Sequence, residues 1–345
     1  MKSTSSRPIL RLLRTTDYGR RVFGPLAHLL VVLCLTLSPS PSLAAPIASA
    51  DNPMKNELTG RGLVGAQSLA TLFSGGPGGS TWIVGNTSGT DTGLPDGRVT
   101  PGKPGLAVED AKLGSIVGSA YDTGMTLWVN NSLFIAPMPV TTTSQSLTAG
   151  PVFTQSLNIT VEYYAAANSA TLRTLAGFQN PTASPVTISV YWASNVGSDS
   201  STFVSQTSSG DTIFTTTDHW VITTDDPTDT SLATPVNTHV LFGPCNPPVK
   251  PHSVTEIVFE YNNLRDGVGA TYTITVPAGA TRRLLFFNQM NPTNAAAFDA
   301  ASIFDANSSL GSDLLAGLAP NQLGEVVNWS FGCVFLPLVM RAAGQ

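Results

Sequence analysis

The chain has 345 residues, of which 42% are hydrophobic and only 11% are charged, with a net charge of −5. This balance excludes a charge-driven disordered chain, a coiled coil and a basic nucleic-acid-binding domain. With 31 Gly and 25 Pro, the composition is typical of an exported all-β protein with many turns.

The N-terminal segment is typical of an export signal. A basic stretch precedes an apolar run over residues 26–37, and small-residue cleavage motifs end at residues 44 and 50. We therefore predict a signal peptide over residues 1–50, cleaved after residue 44 or 50, and a secreted or cell-surface location outside the cytoplasm. The Arg-Arg-Val-Phe sequence at residues 20–23 resembles the twin-arginine export pattern, so that route and the general secretory route both remain open.

The mature chain has the surface chemistry of an extracytoplasmic protein. The apolar C-terminal tail, residues 334–341, is too short to cross a bilayer, so we predict no membrane span in the mature chain. Residues 1–50 hold six Lys or Arg and one Asp, and without them the net charge is −10. An acidic exterior disfavours nucleic acid as a partner. Carbohydrate or other surface proteins are the partners that we expect for an exterior rich in hydroxyls and amides.

Residues 51–110 are rich in turns. Gly-Pro clusters recur through this segment, and only residues 81–84 have the pattern of a strand. We expect a loosely structured lead-in that contains one or two strands.

From residue 111 onward, one β-pattern follows another. Residues 157–164 alternate strictly, which predicts a strand with Ile159 and Val161 buried and with Thr160 and Glu162 exposed. Short strands separated by Asn, Gly and Pro turns favour an antiparallel β-sandwich over residues 111–292, as one large sandwich rather than two smaller ones. The other predicted strands cover residues 125–129, 133–135, 171–178, 186–192, 202–205, 212–216, 220–223, 254–261, 270–276 and 282–287.

The pattern changes in residues 293–345. Helical spacing appears at residues 295–304, 310–318 and 323–329, with Asn321 as a candidate N-cap. We predict short helices and an apolar tail that cover one edge or end of the sandwich, where an open strand would otherwise invite pairing with other chains.

The tail itself, residues 334–341, has the sequence Val-Phe-Leu-Pro-Leu-Val-Met-Arg. It resembles the Leu-Pro-Leu-Val-Arg tails of exported bacterial β-sandwich proteins. The resemblance covers eight residues and implies no particular activity. A final edge strand interrupted by Pro337 explains the same residues.

Two cysteines, Cys245 and Cys333, follow the predicted signal peptide. An even pair in an exported chain is typical of a disulfide, which would stabilise the fold by up to about 4–5 kcal/mol through restriction of the unfolded chain. Two separate buried thiols are the alternative, since cysteine packs well as a small apolar residue.

Two groups of side chains are candidates for binding. Asp225, Asp226 and Asp229 form the densest acidic cluster, and clustered carboxylates in a loop can bind calcium; an ordinary turn is the alternative. His219 and Trp220 are candidates for ligand binding, as a sugar-stacking or acid–base pair, or else they begin a strand with the imidazole half exposed.

One pair of arginines stands out in a predicted strand. Arg282 and Arg283 precede four apolar residues, so that one guanidinium is expected to face outward and the other inward. An inward guanidinium requires an acidic partner, for which Glu256 or Glu260 is a candidate.

No recognised catalytic constellation is present in the sequence. Asp-Thr-Gly occurs at residues 91–93 and 122–124, but the two copies do not lie in separate homologous lobes as in aspartic proteases. HExxH, GxSxG and P-loop motifs are missing from the sequence. The chain is therefore interpreted as an exported extracellular or cell-surface β-sandwich protein with a structural, adhesive or ligand-binding role. A secreted carbohydrate-active enzyme, a lyase or glycosidase on a sandwich scaffold, is the alternative.

Overall fold

The computed structural model describes residues 66–75, 79–87, 105–114, 116–230, 232–258, 265–306 and 310–331. These residues form a mainly β protein with antiparallel sheets and a few short C-terminal helices, which confirms the predicted fold class. The predicted signal peptide, Cys333 and the apolar tail lie outside the described residues. No helix in the described part of the chain is both long and apolar enough to cross a membrane.

Sixteen strands and two α-helices make up the described fold. The strands are β1 (Ala66–Ser74), β2 (Ser80–Thr87), β3 (Leu106–Leu113), β4 (Thr126–Val129), β5 (Ser132–Leu133), β6 (Thr141–Thr142), β7 (Ser146–Thr154), β8 (Leu157–Ala165), β9 (Thr171–Gln179), β10 (Val186–Asn195), β11 (Phe203–Thr207), β12 (Trp220–Thr224), β13 (Val236–Val240), β14 (Ser253–Thr255), β15 (Gly267–Val276) and β16 (Thr281–Asn291). The helices are α1 (Asn294–Ala301) and α2 (Pro320–Glu325), with 3₁₀ turns at Asp199–Ser201 and Ser302–Phe304.

The strands form three sheets around one core. Their orders are β1-β2-β3, β14-β15-β10-β4-β5 and β11-β12-β13-β16-β9-β8-β7-β6. The three- and five-stranded sheets both pack against the inner face of the eight-stranded sheet, because side chains of all three belong to one apolar cluster. Between the five- and eight-stranded sheets, the rings of Trp192 and Phe286 stack with their centroids 5.0 Å apart.

The C-terminal residues cover the outer face of the eight-stranded sheet. Ala297, Phe304 and Leu314 form a second apolar cluster with Leu285 and Phe287 of β16. The described part of the predicted cover therefore packs on the outer face of the sheet and not only at an edge or end of the sandwich. Every residue of β12 and β13 is buried. A strand that is covered on both faces has no alternation from which the sequence could predict a second apolar layer.

The alternation predicted for residues 157–164 and the burial of Ile159 and Val161 are confirmed, but Thr160 and Glu162 are half-buried rather than exposed. Strand β8 buries Ile159 and Val161, whereas Thr160 and Glu162 point to the opposite, half-buried face. The described C-terminal residues cover only part of this face.

The described parts of the turn-rich segment before residue 111 contain more strand than the sequence predicts. They contribute β1, β2 and most of β3, and their side chains Leu72, Trp82 and Val84 are fully buried in the main core. Register shifts in the β1–β2 and β2–β3 pairs interrupt the period of two. A bulge of this kind hides a strand from a search for strict alternation.

Two further predicted elements are loops. Residues 212–216 form no strand, because Thr215 donates from its backbone N and Oγ1 to the Asp218 carboxylate, at 2.9 and 2.8 Å, instead of pairing in a sheet. Residues 310–318 form turns rather than a helix, and Gly317 has a positive φ of 77°. Of the strand predicted at residues 254–261, only residues 254–255 belong to a strand, β14, and residues 256–258 form none. Residues 259–261 lie outside the described residues.

Candidate functional site

Part of the outer face of the eight-stranded sheet is left open by the described residues of the C-terminal cover. The register of β8, β9 and β16 places two rows of side chains in this part. The first row is Thr160, Gly177 and Arg283, and the second row is Asn158, Gln179 and Thr281. These six residues are called the open rows below. Together with Pro151 of β7, they line a shallow depression of about 230 Å³.

The open rows end where the cover begins. In the next row of the same strands, Leu175 and Leu285 are buried in the second apolar cluster under the C-terminal residues. The outer face therefore changes from apolar to polar within one step of two residues along each strand. Five of the six side chains beyond that step, all but Gly177, can form hydrogen bonds.

Arg283 is fixed at one end of the first row. Its Nε donates to Glu325 Oε2 at 2.7 Å, and its side chain is 19% exposed. The backbone of Arg283 is also fixed, because Val327 N donates to Arg283 O at 3.0 Å. Among the described residues, Nη1 and Nη2 of Arg283 have no hydrogen-bond partner. The guanidinium therefore presents two donor groups in a fixed position.

Gly177 makes room for that guanidinium. A Cβ atom at this position would lie 2.8 Å from Nη1 of Arg283, which is closer than van der Waals contact allows. The absence of a side chain in the middle of the row therefore allows Arg283 to lie across the sheet. Gly177 itself lines the depression.

Amide groups form the second row. Asn158 Nδ2 donates to Gln179 Oε1 at 2.5 Å, so that each amide fixes the other. Their remaining groups, Asn158 Oδ1 and Gln179 Nε2, are an acceptor and a donor that point away from this bond. The open rows thus offer both kinds of hydrogen-bonding group.

A second arginine, Arg173, lies on β9 one row beyond Leu175, and most of its hydrogen-bond donors are already used. Arg173 is buried, and its Nη1 donates to the carbonyl oxygens of Leu314 and Ala316 at 3.0 and 2.8 Å. Its Nη2 pairs with Glu162, and its guanidinium lies 4.6 Å from the ring centroid of Tyr164. Burial lowers the pKa of Arg173, while the charge of Glu162 opposes that shift. Arg173 therefore anchors the cover rather than a ligand.

The predicted ligand pair His219 and Trp220 is occupied within the protein. Trp220 is 2% exposed and packs in the second apolar cluster, and its Nε1 donates to Asp305 Oδ1 at 2.7 Å. Nε2 of His219 lies 3.0 Å from the same oxygen. Burial lowers the pKa of His219, although Asp305 opposes the shift. The indole offers no open face for stacking on a sugar, so this part of the prediction is corrected.

The three aspartates predicted to bind calcium do not form a common set of ligands. Asp225 Oδ2 accepts hydrogen bonds from the backbone of residues 233 and 234. Asp226 accepts from the backbone and hydroxyl groups of Thr228 and Thr230, and Asp229 accepts from Asn294. Within the described residues, no group of three His, Cys, Asp or Glu side chains is placed to hold a metal ion. The acidic cluster serves to fix its own loop.

The predicted disulfide lies only partly within the described residues. Cys245 is half-buried in a loop with a positive φ of 69°, and Cys333 is outside the described residues. The pairing therefore stays a prediction.

Glu256, one of the two predicted partners of Arg282 or Arg283, pairs with neither arginine. Arg283 pairs with Glu325, whereas Glu256 pairs with Arg265 at 2.9 Å. Glu260 is outside the described residues.

Sequence reasoning missed the open rows because their strands come together only in the folded sheet. The one local signal was Gly177 inside a predicted strand, a position that often marks the close approach of another group.

Comparisons with known proteins add a distant likeness in fold. No family model and no curated protein matches the sequence. Among solved structures, the chain is similar to a polysaccharide lyase, with 10% identity, a TM-score of 0.36, and coverage of 61% of this chain and 34% of the lyase. It is also similar to a mutant heparan sulfate lyase from Pedobacter heparinus, with 10% identity, a TM-score of 0.35, and coverage of 66% and 36%.

A third similar structure is a putative aldose 1-epimerase from Klebsiella pneumoniae, with 9% identity, a TM-score of 0.31, and coverage of 75% of this chain and 85% of the epimerase. The chain spans only about a third of the length of the two lyases. These values assign neither a family nor an activity.

Proposed function

We propose that the protein is an exported β-sandwich protein that binds an oligosaccharide on the open rows. The observation that carries the proposal is the depression around Gly177, where side chains fixed by the fold keep donors and acceptors available. Sugars present hydroxyl groups that both donate and accept, so a surface of amides, hydroxyls and a guanidinium matches their chemistry. The export part of the proposal rests on the sequence of residues 1–50 alone.

The composition of the site favours binding over catalysis. Of the described residues that line the depression, none carries a carboxylate, an imidazole or a phenol. A lyase would require a general base of one of these kinds to abstract a proton from the sugar. A glycosidase would require two carboxylic acid groups on either side of the scissile bond. The two carboxylates beside the open rows are already paired, Glu325 with Arg283 and Glu162 with Arg173. A ligand-binding role is therefore preferred to the lyase or glycosidase alternative.

The proposal is tested with a double variant of the amide row, Asn158→Ala with Gln179→Ala. The purified protein is screened against a panel of oligosaccharides, and the dissociation constant of the best ligand is measured by isothermal titration calorimetry. Loss of one or two hydrogen bonds of about 1 kcal/mol each should weaken binding by about tenfold.

The matched control is Thr187→Ala with Thr275→Ala. These two exposed residues also face each other across neighbouring strands, and their hydroxyl oxygens are 2.9 Å apart, but they lie on the five-stranded sheet. We expect this variant to bind as the wild type does. Equal weakening by both double variants, or no binding of any oligosaccharide by the wild type, contradicts the proposal.

A further inference from the structure

The geometry of Arg283 points to a ligand that carries a carboxylate, so we infer that the oligosaccharide contains a uronic acid whose carboxylate binds Nη1 and Nη2. This inference rests on the proposed function, because it names the class of sugar for the same site. A guanidinium has a planar fork of donors that matches the two oxygens of a carboxylate.

The orientation of the fork is set before a ligand arrives. Nε of Arg283 donates to Glu325 Oε2 at 2.7 Å, and the guanidinium lies over Gly177. The remaining edge, formed by Nη1 and Nη2, lines the depression. An arginine that is already positioned loses less conformational freedom when it binds a ligand.

Arg173 provides a comparison within the same sheet. Both arginines lie on the outer face and pair with a glutamate, but the Nη1 of Arg173 is taken by two carbonyl oxygens of the cover. Only Arg283 of this pair keeps its terminal nitrogens available. Because Glu325 already neutralises the single positive charge of Arg283, the site would recognise a carboxylate through the directed hydrogen bonds of Nη1 and Nη2 rather than through net charge.

The surroundings of Arg283 fit a sugar ring rather than an isolated anion. Neighbouring strands are about 4.8 Å apart, and residues on one face repeat every 6.8 Å or so along a strand. The open rows therefore extend about 10 Å across three strands and about 7 Å along them. This area holds one sugar residue, with its carboxylate at Arg283 and its hydroxyls at Asn158 and Gln179.

The test compares three saccharides of equal length: an oligouronate, the same oligouronate with its carboxyl groups reduced to alcohols, and a sulfated oligosaccharide of neutral sugars. Dissociation constants are measured by calorimetry for the wild type, Arg283→Lys and Gly177→Ala. We expect the wild type to bind the oligouronate at least about tenfold more tightly than either of the other saccharides. Both variants should lose that preference and keep the weak binding of the reduced saccharide.

Gly177→Ala keeps every charge and moves only the guanidinium, so it serves if Arg283→Lys is poorly folded. The matched control is Arg282→Lys, at the adjacent position of β16, whose side chain lines a different depression with Pro248 and Val249. This control should keep the full preference.

The outcomes separate the two proposals. Equal binding of the oligouronate and its reduced form overturns the uronic acid while the proposed function stands. Binding of the sulfated saccharide as tightly as the oligouronate overturns the choice of a carboxylate. No binding of any of the three, together with no binding in the wider panel, overturns the proposed function itself.

Discussion

His239 is a buried histidine that the fold keeps neutral. It has no exposed surface, and its Nε2 lies 3.0 Å from Thr223 Oγ1 while its Nδ1 lies 3.1 Å from Asn288 Nδ2. Because the amide of Asn288 donates to Nδ1, the hydrogen-bond network assigns the proton of the neutral ring to Nε2. Burial lowers the pKa of His239 to about 3.

This pKa shift predicts a pH dependence of stability. An unfolded histidine has a pKa near 6.5, so protons bind the unfolded chain first as the pH falls. The contribution of His239 is complete above pH 6.5 and is lost at about 1.4 kcal/mol per pH unit as the pH falls toward 3. We expect His239→Gln to flatten the fall in the free energy of unfolding between pH 6 and pH 4, measured by urea denaturation.

His252→Gln is the control, because His252 is exposed. Its stability should follow the wild-type pH dependence. His219 is present in both variants and contributes equally to each curve. If His239→Gln shows the same slope as the wild type, His239 does not stay neutral in the folded protein.

At the scale of elements, the segment after α2 continues the sheet where β13 ends. Val326 forms a parallel bridge with Arg283, and Asn328 bonds the backbone of Leu285. The Asn328 amide accepts from Leu285 N at 2.9 Å and donates to the carbonyl oxygens of Leu285 and Leu241 at 2.8 and 3.0 Å. One side chain thus takes the place of a strand partner, and the same segment positions Glu325 beside Arg283.

Asn328→Ala is therefore expected to lower the free energy of unfolding by about 2–4 kcal/mol, because it leaves buried backbone groups without partners. Urea denaturation at pH 7 measures this change. Asn321, predicted as an N-cap, is instead the second residue of α2, whose N-cap is Ala319. Asn321→Ala, on the exposed surface of this helix, is therefore the control and should change stability by no more than about 0.5 kcal/mol. If Asn328→Ala lowers the free energy of unfolding by less than about 1 kcal/mol, water must satisfy the backbone groups in place of the amide, which contradicts this prediction.

At the scale of the whole molecule, three layers follow from where the apolar residues lie. One core joins the inner face of the eight-stranded sheet to the two smaller sheets, and a second joins part of its outer face to the C-terminal cover. The stack of Trp192 on Phe286 connects two sheets that share no strand pairing.

We expect Trp192→Ala to destabilise the protein by about 3–5 kcal/mol, because a large cavity would open between these sheets. Thermal and urea unfolding measure the effect. Phe153→Ala removes another aromatic ring from a strand, but that ring is 66% exposed, so its loss should cost far less. Similar losses for the two variants would show that the sheets do not depend on this contact.

The sequence predicts the fold best where one face of a strand is polar. In β8, apolar and polar residues alternate, and the buried positions follow that alternation. Strands β12 and β13 are buried on both faces, so their sequences do not indicate the second apolar layer. The site was also hard to predict, because its residues are distant from one another in the sequence. Arg283 and Gly177 are recognisable only when β9 and β16 pair, and Glu325 reaches them from a helix that follows 42 residues later.

The central claim is that the open rows hold a uronic acid against Arg283, and a crystal structure of the protein with a bound oligouronate tests it most directly. We expect the carboxylate oxygens within about 2.7–2.9 Å of Nη1 and Nη2, with sugar hydroxyls bonded to Asn158 and Gln179. An oligouronate bound elsewhere, such as on the threonine face of the five-stranded sheet or beside His219, would contradict the account.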